Sequence, residues 1–175
     1  MKRTYLRRSI VLVTLLTLFT LGSISTISLA QQAASTEAEG FEWSAELVAL
    51  DAAAHTVTVK ARVPSSEAFP EFESLKTGER VMLTWSGVDK YSDGIRSVTR
   101  YDAARKPLDK LMFPAEFLSF YSSPGIATIK VPIPAADVSE IQSVKPGEWI
   151  RAMSPHGNEA DMHPISSIHP YNSGF

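Results

Sequence analysis

The twenty residues Ala45 to Pro64, AELVALDAAAHTVTVKARVP, align without a gap on Ala115 to Pro134, AEFLSFYSSPGIATIKVPIP, at a shift of 70. Five positions are identical: Ala45/Ala115, Glu46/Glu116, Thr58/Thr128, Lys60/Lys130 and Pro64/Pro134. Downstream, SLKTGERV from Ser74 matches SVKPGEWI from Ser143 at a shift of 69, and IRSVTRY from Ile95 matches ISSIHPY from Ile165 at 70. Three separated blocks in one order read as a tandem duplication, so the fold must be one that two similar units can build.

The shared periodicity names the elements. Val57, Val59, Ala61 and Val63 alternate with Thr58, Lys60 and Arg62, and Ala127, Ile129, Val131 and Ile133 repeat the pattern. Alternation of this kind predicts a half-buried strand. Short connections, DAAAH and YSSPG, join it to the strand before it as a hairpin. Phe69, Phe72 and Leu75, with Val138, Ile141 and Val144 in the second copy, have the spacing of a single helical turn. Gly78 and Gly147 then provide turns before Arg80 to Ser86 and Trp149 to Pro155, where Val81, Leu83 and Trp85 parallel Ile150, Ala152 and Ser154. The last block of each copy makes a fourth strand.

These elements predict an all-β fold with minor helical turns, made of tandem repeats of roughly 70 residues. The repeats span 41–102 and 115–175, with a connector at 103–114. Open sheets expose edges that invite pairing with other chains. A closed small barrel, or two small barrels abutting, would remove them.

Before the repeats lies an export signal. Lys2, Arg3, Arg7 and Arg8 precede an apolar run from Ile10 to Leu21, and Ser28-Leu29-Ala30 offers a cleavage site. Residues 1–30 are therefore expected to be removed, and 31–40 form a polar leader. Ile10 to Ile27 would approach a membrane anchor in length, at about eighteen residues, but Gly22, Ser23, Ser25, Thr26 and Ser28 dilute it. No stable membrane span is expected after cleavage, and the destination is periplasmic or secreted. All 19 acidic residues but only 13 of the 17 Lys and Arg follow Ala30, a net charge of −6. That charge is poorly suited to a phosphate backbone, so nucleic acid is not an expected partner. Absence of Cys excludes disulfides and thiolate metal sites.

The order of a strand ending in Asp51, a hairpin, TVTVKARVP, Phe69-Pro70, KTGERV and a closing IRSV strand resembles the small periplasmic copper and silver chaperones of heavy-metal efflux systems. The resemblance covers about one repeat and implies a small barrel. Those chaperones bind metal through His, Met and Trp before the Lys-x-Gly turn. Here that stretch holds Ser65, Ser66, Glu67, Ala68 and Phe69, so no ligand carries over.

Features held by both copies read as architecture: Lys76 and Lys145, Gly78 and Gly147, Glu79 and Glu148 as turn chemistry. Glu46 and Glu116 read as solvent-facing strand residues, and Trp43, Trp85 and Trp149 as core or rim aromatics. Function is sought where the copies differ. Met153, His156, Met162, His163 and His169 crowd into the end of the second copy, with Thr84, Gly87 and Thr99 at the alignable first-copy positions. Imidazole with thioether suits copper, copper(I) above all, so these five are the candidate metal ligands. Ser154, His156 and Asp161 occur without a nucleophile elbow, an HExxH helix or a glycine-rich phosphate loop to fix a catalytic geometry. The leading expectation is an exported, non-catalytic β-barrel module that binds an envelope protein or small ligand. A periplasmic copper-binding protein using the Met/His patch is the alternative.

Overall fold

A computed structural model of the chain describes residues 40–87, 93–104, 111–156 and 164–172. The leader 1–30, Met162 and His163 lie outside the described residues. The protein is mostly antiparallel β-sheet. Strands β1 (Gly40–Asp51) and β2 (Thr56–Arg62) form the first hairpin. A 3-10 turn at Ser66–Ala68 runs into α1 (Phe69–Glu73), and β3 (Arg80–Ser86) and β4 (Gly94–Arg100) follow. The same order recurs as β5 (Met112–Tyr121), β6 (Ile126–Pro132), a 3-10 turn at Ala135–Asp137, α2 (Val138–Ile141), β7 (Trp149–Pro155) and β8 (Ser167–Pro170). No helix among the described residues is long and apolar enough to cross a membrane.

All eight strands join one sheet in the order β4-β3-β5-β6-β2-β1-β7-β8. Reading that order backwards exchanges the two halves. Its centre is the β2/β6 ladder, in which Val59 pairs with Ile129. Each half also lends its last two strands to the other: β3 pairs with β5, and β7 with β1. Matching bulges interrupt β1 between Leu47 and Ala49 and β5 between Phe117 and Ser119. An extra residue there leaves backbone groups outside the ladder, and the turn of the opposite half takes them up. Gly147 N–H donates to Leu47 O and Leu47 N–H to Glu148 O; Gly78 N–H and Phe117 N–H do the same with Phe117 O and Glu79 O, all at 2.8 Å. Gly78 and Gly147 sit at φ +86° and +92°, a region L side chains avoid, which is why each turn carries glycine. Glu79 and Glu148 fasten these turns by accepting from the N–H of Lys76 and Lys145, at 2.8 Å each.

The expected strand parity holds, with Val57, Val59, Ala61, Ala127, Ile129 and Val131 buried in one core. The sheet curls around that core. Trp43 on β1 and Trp85 on β3 are four strands apart in the order, about 19 Å in a flat sheet, yet their rings lie 5.1 Å apart. Phe113 stacks on Trp43 at 5.2 Å, which starts β5 at Met112, inside the stretch read as connector.

The closed ring expected from the sequence is not formed. Among the described residues no pairing joins β4 to β8, and the sheet is open. Neither are there two barrels, because both halves share one sheet. The edges are managed by covering, a recognised alternative to closure. Elements α1 and its 3-10 turn pack on β4, and α2 with its own turn packs on β8. Strand β4 also reaches the end of β2 closely: a Cβ on Gly94 would meet Arg62 O at 2.7 Å, so only glycine fits.

Candidate functional site

The β7/β8 ladder places part of the predicted metal patch. Arg151 pairs with His169 and Met153 with Ser167. Met153 and His169 thus occupy diagonal positions on the face away from the core, at separations of about 7–8 Å typical of such neighbours. His156 follows β7 directly. His169 does not stand ready as a ligand, because its Nδ1 contacts the Glu140 carboxylate from α2. Beside it, Ile168 N–H donates to Asp137 Oδ2 at 3.2 Å, fastening the edge strand to the helical turn. Burial pushes the Asp137 carboxyl above its ordinary value, and the neighbouring Glu140 charge adds to this. Among the described residues no group of three or more His, Asp and Glu is placed to hold a metal.

The serine considered for catalysis is occupied. Ser154 is fully buried, its Oγ accepts from Trp43 Nε1 at 2.8 Å and donates to Pro164 O. A hydroxyl committed on both sides inside the core is a packing device.

The carboxylates at matching positions of the two halves face solvent and pair across strands. Glu46 lies 3.5 Å from Lys60 and Glu116 2.7 Å from Lys130. Around the second pair the outer face is indented. A depression of about 350 Å³ is lined by Arg80, Glu116, Lys130, Thr56 and the rings of Pro114, Pro132 and Pro164, with Gly78 and Ala115 at its margin. Its origin is local. The β5/β6 pairing runs from Tyr121↔Ile126 to Glu116↔Lys130 and stops. The next outward residues are Pro114 and Pro132, neither of which has an N–H to continue a ladder.

The place related to it by exchanging the halves is built differently. There the β1/β2 pairing stops at Glu46↔Lys60, and the residues matching Pro114, Pro132, Arg80 and Pro164 are Ser44, Arg62, Trp149 and Gly94. Ser44 uses both its donors on one carboxylate, N–H to Asp93 Oδ2 at 2.8 Å and Oγ–H to the same atom at 2.6 Å. Asp93 is buried there, at 5% exposure. In the second half Pro114 offers neither donor, and the position matching Asp93 is His163, outside the described residues.

The cations of the depression differ in their ties. Lys130 and Glu116 are each 36% exposed, so their pair is worth under about 1 kcal/mol. The Arg80 guanidinium lies 3.8 Å over the Tyr101 ring and has no carboxylate partner among the described residues. Sequence comparison within the chain missed this site because Arg80, Glu116 and Lys130 read as ordinary outward strand residues. The available signal was proline at positions 114, 132 and 164, where the matching first-half residues are Ser44, Arg62 and Gly94. No protein-family model, curated protein or solved structure matches the chain.

Proposed function

We propose that the chain is an exported, non-catalytic binding module of the cell envelope, made of two duplicated halves whose curled sheet acts as a small barrel completed by its two helical turns. The observation that carries the binding reading is a difference on the outer face: at one related place Ser44 donates to Asp93, at the other Arg80, Glu116 and Lys130 border a depression of about 350 Å³. Duplicated halves keep what the fold needs, so Pro114, Pro132, Pro164 and Arg80, which replace Ser44, Arg62, Gly94 and Trp149, are features the fold does not require. Matching bulges and turns in the two halves support the duplication, and the signal-like leader supports export.

The test is site-specific photocrosslinking in the cell, with the full chain carrying the photoreactive residue at Pro132, exposed at the depression, or at Glu73 on α1 as control. A discrete adduct from position 132 and none from 73 is the expected result. Equal labelling from both positions, or none from 132, removes the reading.

A second reading, weak copper binding, is favoured by the β7/β8 pairing that sets Met153 and His169 on one face with His156 beyond it. Met162 and His163 would complete that set. Titration of copper(I) against a competing chelator should then show uptake that the His156→Ala/His163→Ala pair abolishes and His55→Ala leaves intact. Failure of the wild-type chain to compete with a weak chelator ends this reading and leaves the first untouched.

A further inference from the structure

We infer that the depression between β5 and β6 takes a small organic acid, a carboxylate carried on an apolar or aromatic body. The inference rests on the binding-module reading and gives its ligand a chemical class.

Charge sets the head group. Two cations, Arg80 and Lys130, flank one carboxylate, Glu116, a local positive excess on a chain whose residues after Ala30 total −6. Among the described residues Arg80 lies over the face of Tyr101 and meets no carboxylate, which leaves its guanidinium edge for a bidentate carboxylate. Lys130 can turn from a half-exposed partner to a bound anion at small cost, since the pair it leaves contributes little.

Shape sets the body. Pro132 offers an exposed apolar ring over the buried rings of Pro114 and Pro164, and none of the three has a backbone donor, which suits the uncharged part of a ligand. The related place shows the same region of the fold receiving a carboxylate from the chain itself, through Ser44 N–H and Oγ–H. In the second half the donors are gone with Pro114, and Arg80 stands where the first arrangement has Trp149. Recognition of the anion therefore passes from backbone and hydroxyl donors to side-chain cations.

Benzoate, benzamide and acetate are the probes, titrated into the processed protein and followed by backbone amide shifts. Benzoate should move the amides of Thr56, Gly78 and Lys130, while benzamide, without the charge, and acetate, without the body, should each bind at least about tenfold more weakly. Arg80→Gln and Lys130→Gln should each weaken benzoate about five- to tenfold with melting temperature unchanged, because both side chains are solvent-facing. Equal binding of benzoate and benzamide overturns the anion assignment. So does benzoate binding that neither glutamine variant weakens, or no binding up to about 50 mM. A crosslinked adduct at position 132 together with silent benzoate titrations would keep the binding module and discard the organic acid. Loss of both results would discard both.

Discussion

Ser44 and Asp93 form a buried polar arrangement on the outer side of β1. Two donors converge on Asp93 Oδ2 in a site that water scarcely reaches. Removing the acceptor leaves Ser44 N–H and Oγ buried without a partner, so Asp93→Ala should cost about 2–4 kcal/mol in urea unfolding. Ser44→Ala keeps the backbone donor and should cost less, about 1 kcal/mol. An Asp93→Ala protein as stable as wild type would show that this contact contributes nothing. Asp137 works in the opposite sense. Burial raises its folded pKa above 3.8, so the folded state holds its proton more firmly than the unfolded one. Its contribution favours folding at pH below 3.8 and is lost as pH rises through the raised folded value. Asp137→Asn keeps an oxygen for Ile168 N–H and carries no charge. The variant should therefore equal or exceed wild type in thermal melts at neutral pH, with the gap closing on acidification. Glu79 has the reverse sign: the Lys76 N–H lowers its pKa, so its contribution is present above 4.5 and fades as pH falls. The roles of Asp93 and Asp137 do not show in the sequence, because their partners Ser44 and Ile168 come from distant segments. Glu79 serves a turn whose donor, Lys76, is only three residues away, and is legible there.

At the scale of the element, alternation was enough. A period of two points Val59 and Ile129 inward, and they face each other across the central ladder. Val59→Asp and Ile129→Asp should each lose several kcal/mol, about 3 or more, through an unpaired buried charge. Lys60→Ala should lose under about 1 kcal/mol, since Lys60 is 47% exposed and its partner Glu46 lies at 3.5 Å. Thermal melts in which the lysine change is the worse one would reverse the parity. The helical turns were also legible, since Phe72 and Ile141 recur at matching positions and both point into the core. The bulges were not legible. A bulge needs one extra residue relative to a partner strand, and a sequence does not number its partners. The turn residues give half of the answer: Gly78 and Gly147 with Glu79 and Glu148 mark the turns in the sequence. That each turn caps the bulge of the opposite half emerged only from the pairing.

For the whole molecule, the proposed export makes one measurable claim. Mass spectrometry of the envelope fraction should find a chain beginning at Gln31, from the Ser28-Leu29-Ala30 site. A dominant species that keeps Lys2 in the membrane fraction would reject it. The sequence by itself determined the all-β character, the order of elements repeated in two halves and the inward face of each strand. These follow from periodicity, turn residues and internal likeness, all of which are local properties of the chain. The tertiary structure alone decided that the halves exchange hairpins within one open sheet and that its edges are covered by helical turns. It alone decided too that proline on two neighbouring strands leaves a depression. The physical reason is common to these three: each depends on which backbone donors and acceptors meet across the sheet, and that meeting is fixed by long-range pairing rather than by any residue's neighbours in sequence.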